Sequence, residues 1–346
     1  MDPLTELLAG VRARGALFHQ SFLPSPWALR LDCGTPLALA SMVHGTAWVL
    51  PDDGSPVRLN PGDVAILRGA APYTVADSPA PSAGDVVLHS GDSCTGPDGA
   101  ELAADLSLST RSWGAREDGA AVLLSGMYQV EGDVGSRLLA ALPPVLTVEQ
   151  CMTDCPLSPV IAEEIARDEP GQQAVLDRLL DLLLLATLRS WFNGNEAHAP
   201  AWYRAHGDPV VGQALRLLHA DPAHPWTVGA LAAKAGTSRA TLARRFTALV
   251  GEPPMSYLTD WRLTLAADLL RTPGATLGSV ARQVGYADAF SLSAAFKRTR
   301  GVSPRAHLHA TATPPPAGPT APGRLIGARA RPATAAVAGR AGTTSR

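Results

Sequence analysis

Residues 227–246, TVGALAAKAGTSRATLARRF, decide the fold of the last third of the chain. Residues 276–296, TLGSVARQVGYADAFSLSAAF, repeat this layout 49 residues further on. In each stretch a Thr precedes a short helix with apolar residues at helical spacing, a Gly makes a turn, and a second helix ends in Phe. One such unit is also typical of an ordinary helical hairpin. Two units in tandem predict a pair of helix-turn-helix motifs that bind DNA.

The turn chemistry of the first unit supports this prediction. Thr227 and Ser238 each stand directly before a helix, where a side-chain oxygen accepts hydrogen bonds from free backbone N–H groups. Gly236 allows the left-handed backbone conformation that ends the first helix. Leu242 and Phe246, four residues apart, give the second helix its buried side.

The other side of this helix carries the candidate DNA contacts of the first unit. They are Ser238, Arg239, Thr241, Arg244 and Arg245. Residues near the N-terminus of a recognition helix reach base edges in the major groove, so Arg239 is the candidate base contact, with guanine as its partner. Arg244 and Arg245 are candidates for phosphate contacts. Alternatively, the three arginines form an ordinary solvated helix face.

The second unit is less regular. Thr276 and Asp288 are its predicted caps, and Gly285 begins its turn. Its candidate DNA contacts are Phe290, Ser291, Ser293, Lys297 and Arg298. Phe290 either touches a thymine methyl group or belongs to the core. The basic residues at the end of this helix, Arg300 included, are expected to bind phosphates.

With these motifs in place, the region of residues 209–309 resembles the AraC/XylS family of transcription regulators. The resemblance is carried by Ala232, Gly236, Ser238, Arg239, Leu242, Phe246, Gly251 and Pro254, by Tyr257, Leu258, Arg262, Leu263, Ala266, Leu269 and Leu270, and by Val280, Ala281, Val284, Gly285, Tyr286, Phe296, Lys297, Arg298, Gly301, Ser303 and Pro304. The chain departs from the family pattern at Leu292, where an aromatic residue is usual, and at His307, where Tyr is usual. The resemblance implies two recognition helices in successive major grooves.

Charge separates the chain into regions. Residues 1–208 carry 12 basic and 26 acidic side chains, a net charge of −14. Residues 209–310 carry 12 basic and 5 acidic side chains, a net charge of +7, and residues 311–346 add five arginines and no acid. The near-neutral total therefore hides a basic C-terminal module, as expected of a protein that binds a polyanion.

Short strands dominate the prediction for residues 1–150. Turn-bounded apolar runs predict strands at residues 27–31, 37–41, 45–50, 57–59, 64–67 and 121–130. Residues 60–63 are a predicted turn, and residues 89–118, rich in Gly, Ser, Asp and Pro, are a predicted loop. Many short strands favour a small barrel or jelly roll. The order is similar to the cupin-type sensor domain found before AraC-type readers, through residues 25–27, 61–63 and 142–146.

Helices are expected after the barrel, at residues 159–167 and 172–192. The longer one carries two adjacent apolar stripes and should be buried on more than one side. The stripes are Val175, Leu179, Leu182, Leu183 and Ala186, and Leu176, Leu180, Leu184, Leu188 and Trp191. This helix either packs only on its own barrel or forms a dimer interface, which the resemblance favours. The predicted domains are 1–150 (sensor), 151–195 (dimerisation), 196–208 (linker), 209–310 (DNA binding) and 311–346 (disordered tail).

A cupin metalloenzyme is an alternative function. Metal cupins hold Fe, Mn or Zn with several His and a carboxylate on facing strands. Here Tyr73 stands where a His is expected, and His44 and His89 remain without an HxH pair. The sequence therefore predicts neither a catalytic metal nor a cofactor, and no enzyme.

The four cysteines leave a further alternative open. Cys33 ends a strand, Cys94 lies in the predicted loop, and Cys151 and Cys155 are four residues apart. A loop thiol that reaches a barrel thiol would form a redox switch, and some AraC-type regulators with this type of sensor respond to oxidants. The Cys151–Cys155 pair is alternatively a zinc site, and otherwise the thiols have no function.

These observations predict an α+β transcription regulator of bacterial type, with a cupin-like barrel followed by an all-α reader. Its expected partners are promoter DNA, RNA polymerase, a small-molecule or oxidant effector and a second copy of the chain. A cytoplasmic location without membrane contact is expected, because no long apolar run and no signal peptide is visible.

Overall fold

A computed structural model describes residues 3–8, 10–12, 19–81, 86–89, 94–96, 99–102, 106–109, 112–114, 120–151, 157–167, 169–194 and 199–311. The described residues belong to one compact unit. The predicted tail lies almost wholly outside the described residues, as do Cys155 and the side chain of His89.

Two β-sheets build the first half of the chain. Their strands are β1 (Val11–Arg12), β2 (His19–Leu23), β3 (Ala28–Asp32), β4 (Leu37–His44), β5 (Ala47–Pro51), β6 (Val57–Leu59), β7 (Val64–Arg68), β8 (Tyr73–Ala76), β9 (Val86–His89), β10 (Cys94–Thr95), β11 (Ser107–Ser109), β12 (Ser112–Gly114), β13 (Ala121–Val130) and β14 (Val145–Val148). One sheet has the order β11-β12-β2-β13-β4-β7-β14, with β1 also paired to β13. The other has the order β10-β9-β3-β8-β5-β6.

The six predicted strands are confirmed to within three residues at each end. A core between the sheets draws Leu29 and Val49 from one sheet and Met42 and Leu123 from the other. Strand β8 is absent from the prediction, although all four of its residues are buried. Within the predicted loop at residues 89–118, the described residues include the short strands β10, β11 and β12.

In the described residues, four helices accompany the sheets. They are α1 (Pro3–Leu8), α2 (Gly132–Ala140), α3 (Leu157–Ala166) and α4 (Gln172–Gly194). Helix α4 buries Leu176, Leu180 and Leu184, and its Leu180 carbonyl accepts a hydrogen bond from the Tyr128 hydroxyl of β13 at 2.9 Å. Burial is incomplete along the first predicted stripe, because Val175 and Leu182 remain exposed.

Helix α5 (Ala201–Ala205) lies within the predicted linker at residues 196–208. Trp202 and Ala205 are buried, and the Trp202 ring packs against Phe192 at the end of α4. The Asp208 carboxylate accepts hydrogen bonds from the backbone N–H groups of Val210 and Val211, each at 2.9 Å. The packing of Trp202 and the hydrogen bonds of Asp208 hold the described part of this segment against α4 and α6.

Seven helices follow in the described residues of the DNA-binding domain (the reader, residues 209–310). They are α6 (Val211–Ala220), α7 (Val228–Lys234), α8 (Arg239–Val250), α9 (Pro254–Leu270), α10 (Leu277–Gln283), α11 (Ala289–Arg300) and α12 (Pro304–Thr311). The first unit, α7–α8, shares one continuous hydrophobic cluster with the helices beside the barrel. The second unit, α10–α11, has a separate cluster formed with the far end of α9. No described helix is long and apolar enough to span a bilayer.

Candidate nucleic-acid interface

Side-chain caps fix both helices of the first unit. The Thr227 hydroxyl oxygen accepts from the Ala230 N–H at 3.1 Å, and the Ser238 hydroxyl oxygen accepts from the Thr241 N–H at 3.1 Å. Gly236 between the helices has φ +66°, a conformation that a side chain disfavours. All three predictions for this turn are confirmed. The caps hold the N-terminus of α8 in one defined position.

The outer face of α8 presents two exposed arginines, Arg239 in its first turn and Arg244. Arg245 is half-buried and forms an ion pair with Asp208. Burial would raise the pKa of Asp208, but hydrogen bonds from Val211, Arg245 and Val210 hold that pKa below its ordinary value. Arg245 therefore anchors α8 to the start of α6 and has less freedom to reach DNA than Arg239.

The second recognition helix, α11, begins with a capping box. The Ser291 backbone N–H donates a hydrogen bond to the Asp288 carboxylate at 2.7 Å. In return, the Asp288 backbone N–H donates to the Ser291 hydroxyl oxygen at 3.2 Å. Hydrogen bonds to the Asp288 carboxylate, first from the Ser291 backbone and then from the Ser291 side chain, lower the pKa of Asp288. Because the Ser291 hydroxyl is committed to the cap, it is a weaker candidate for reading a base than Ser293, which is half-buried.

Phe290 is 82% exposed on the first turn of α11. The alternative that it belongs to the core is therefore wrong, because the buried residues of this helix are Leu292, Ala295 and Phe296. An aromatic side chain held in water at the start of a recognition helix is available for apolar contact with a thymine methyl group or a base step.

The basic residues at the end of α11 divide into two groups. Lys297 and Arg298 are exposed. Arg300, predicted to bind phosphate, instead donates to the Thr264 hydroxyl at 2.8 Å and to the Asp133 carboxylate at 3.3 Å. Asp133 lies on α2 in the N-terminal half of the chain, so Arg300 joins the two halves and is less free to bind phosphate than Lys297 and Arg298.

Sequence reasoning names Arg262 only within the family resemblance and misses its role, which is to join the two units. Its guanidinium donates to the backbone carbonyls of Pro222 at 2.6 Å and His224 at 2.8 Å. It also lies over the ring of Tyr286, in the turn of the second unit. At Gly285, a Cβ atom would stand 2.5 Å from the carbonyl oxygen of Ala223. This close approach locks the second turn against the segment that leads into the first unit.

An apolar cavity of about 200 Å³ lies in the sensor domain. It is lined by Phe22, Leu23, Pro24, Pro26, Trp27, Ala28, Leu29, Val86, Leu106, Trp113 and Gly114. Phe22 and Leu23 belong to β2, and β2 pairs directly with β13. The cavity therefore borders β2, whose partner strand β13 leads into helix α2.

The cysteines occupy unreactive surroundings where the structure describes them. Burial, with a contribution from Asp32, raises the pKa of the Cys33 thiol to about 12. Burial also raises the pKa of Cys94, and the Cys151 sulfur lies 3.6 Å from the Thr187 hydroxyl. Among the described residues, no three His, Cys, Asp or Glu side chains are grouped to hold a metal ion. His44 is exposed and Tyr73 is buried.

Comparison with known proteins gives matches on both halves of the chain. Residues 2–193 match a family described as cupin, and residues 231–310 match a family described as helix-turn-helix domain. An AraC-like transcription regulator of Streptomyces lividans is 32% identical over 88% of this chain and 97% of its own length. The transcriptional regulator AlkR of Acinetobacter baylyi is 30% identical over 88% of this chain and 98% of its own length. Among solved structures, the DNA-binding domain of AdpA in complex with a target DNA is 33% identical over 30% of this chain and 93% of that chain, with a TM-score of 0.28.

Proposed function

The chain belongs to the AraC-like family of DNA-binding transcription regulators, with a cupin domain at its N-terminal end, and we propose that it reads two successive major grooves of promoter DNA with α8 and α11. The observation that carries this proposal is the pair of capped helices, each with an exposed side chain in its first turn. These side chains are Arg239 on α8 and Phe290 on α11.

The two readers differ in chemistry. Arg239 donates a bidentate pair of hydrogen bonds to guanine, and Phe290 makes apolar contact with thymine methyl groups or a base step. Lys297, Arg298 and Arg244 bind phosphates and supply affinity that is independent of sequence. The linking helix α9 has 17 residues and is about 26 Å long, a span compatible with grooves about 34 Å apart.

In this proposal the cavity beside Trp27 and Trp113 binds the effector. Its lining favours a small apolar molecule, and its volume exceeds that of an engineered cavity of about 150 Å³ that binds benzene. A thiol-based response to oxidants has less support. The raised pKa values of Cys33 and Cys94 keep both thiols protonated at neutral pH, and the thiol is a poor nucleophile.

The exposed apolar residues of α4 form the proposed contact with a second copy of the chain. Val175 and Leu182 lie seven residues apart, on one side of the helix, and both are more than two-fifths exposed. A second copy brings the same surface to this contact, as in most homodimers. RNA polymerase is the expected further partner at the promoter.

The decisive experiment measures sequence discrimination by Arg239→Ala. The wild-type protein first selects duplexes from a random pool at fixed salt. If Arg239 reads a base, the variant loses about 1–3 kcal/mol of binding free energy at one position of the selected site and little elsewhere. Arg216→Ala, which removes the same charge outside the recognition helices, is the matched control. An equal loss on all sequences would make Arg239 a phosphate contact and would contradict its proposed role.

A further inference from the structure

One face of the linking helix α9 is docked on the sensor domain. Tyr257, Asp260, Thr264 and Asp268 recur at helical spacing and define this face. Its Asp268 carboxylate accepts from the backbone N–H groups of Asp133 at 2.6 Å and Val134 at 3.0 Å. These groups lie in the first turn of α2, where backbone N–H groups have no partner within their own helix. A reader residue thus caps a sensor helix.

Further contacts hold the same face along its length. Asp260 pairs with Arg137 of α2, whose guanidinium lies 5.4 Å from the centre of the Tyr257 ring. The Tyr257 hydroxyl is 2.7 Å from Nε2 of His219, and Nδ1 of His219 contacts Glu6 of α1. Helices α1 and α2 therefore contact the reader at both ends of α9.

Asp133 also connects α2 to the second recognition helix, α11. Its carboxylate oxygens lie 2.9 and 3.0 Å from Nε2 of His307 on α12, and one of them lies 3.3 Å from Nη1 of Arg300. Arg300 ends α11, and its other terminal nitrogen donates to Thr264 of α9. The Asp133 side chain is 11% exposed, so these polar contacts are shielded from water and are worth more than surface ion pairs.

The two units are attached to the sensor domain in different ways. The first unit is merged with it through a continuous apolar cluster. The second unit has its own cluster, and the Asp133 contacts to Arg300 and His307 are polar. Polar contacts break at lower cost than a shared core, because their partners regain hydrogen bonds to water. The second unit is therefore the one whose attachment is suited to change.

We propose that Asp133 is a positioning residue through which the sensor domain sets the placement of the second recognition helix on DNA. This inference rests on the proposed two-groove binding mode. Helix α2 follows β13 directly, and Val122 of β13 pairs with Phe22 of the cavity-lining strand β2. A molecule in the cavity displaces these strands, shifts α2, and changes the hold of Asp133 on α11.

The test uses the full-length protein and the duplex selected by the wild type. Arg239→Ala and Phe290→Ala assign the first and second half-sites by where each loses discrimination, and each half-site is then scrambled in turn. Asp133→Asn is expected to lose about fivefold or more of its discrimination against a scrambled second half-site. Its discrimination at the first half-site stays within about twofold of wild type, because the first unit keeps its shared core.

Three controls separate positioning from general damage. Glu149→Gln removes a carboxylate from an exposed site of the same domain and should leave both half-sites unchanged. Asp133→Glu should restore part of the lost discrimination. His307→Ala, which removes a partner of Asp133 from the reader, should reproduce the selective loss even if Asp133→Asn folds poorly.

Unchanged discrimination in both Asp133→Asn and His307→Ala overturns the inference, and so does an equal loss at both half-sites. A wild-type protein that selects no sequence refutes the proposed function itself, and the positioning role falls with it. Intact two-site selection with no effect of Asp133 refutes the positioning role alone.

Discussion

Replacement of Phe290 by Ala gives the sharpest separation between DNA binding and folding. The side chain is 82% exposed, so its removal should change the free energy of unfolding by less than about 0.5 kcal/mol. A Phe side chain presents about 150–250 Å². If DNA covers about 80 Å² of it, the lost burial is worth about 2 kcal/mol, which corresponds to about 30-fold in the dissociation constant.

The measurement pairs fluorescence anisotropy on the selected duplex with thermal unfolding of the free protein. Val43→Ala is the control, because Val43 is an exposed apolar residue of strand β4, outside both recognition helices, and it should leave the dissociation constant unchanged. Wild-type affinity in Phe290→Ala would refute the contact. A large fall in the unfolding temperature would show that the side chain supports the fold and would remove the basis of the argument.

Three other outcomes are expected. Gly285→Ala should lower the free energy of unfolding by about 3 kcal/mol in urea titrations, because φ is +85° and the new methyl group meets the Ala223 carbonyl; a neutral result would refute the close approach, and Gly278→Ala, with open space around it, is the control. If the chain dimerises through α4 as proposed, the wild type should sediment as a dimer and Leu182→Asp as a monomer of unchanged helicity, whereas a variant that still dimerises would exclude α4 from the interface. Asp208 has a folded-state pKa below its ordinary value of 3.8, so its contribution to stability is present above about pH 4 and disappears as pH falls through the folded-state pKa. Asp208→Asn should therefore flatten the acid limb of a stability–pH profile, and an unchanged limb would contradict the pKa shift.

The reader could be predicted from the sequence in detail because its signals are local. Caps such as Thr227 and Asp288 act within three residues, and a left-handed Gly marks each turn. The predicted barrel strands are apolar runs next to a turn, such as β7, which follows the predicted turn at residues 60–63. Strand β8 was not predicted, because periodicity alone does not identify a short run whose residues are all buried.

The contacts between the two domains could not be predicted from the sequence. Asp133 and Arg300 are separated by 167 residues, and no local sequence pattern predicts their contact. A basic residue at the end of a recognition helix is suited both to phosphate and to an ion pair, so the sequence alone does not decide the role of Arg300. Phe290 fits the core and the surface equally well in sequence, and the packing of Leu292 and Phe296 decides its position.

The lock formed by Arg262 and Gly285 has a consequence for the promoters that this protein can use. Because it ties the second turn to the segment before the first unit, it limits how far the two units can turn against each other, and the adjustment proposed for Asp133 stays within that limit. One base pair added between the half-sites rotates the second half-site by about 34–36° about the duplex axis. A reader confined to small adjustments cannot follow that rotation, so spacing, as much as base identity, defines which promoters are recognised.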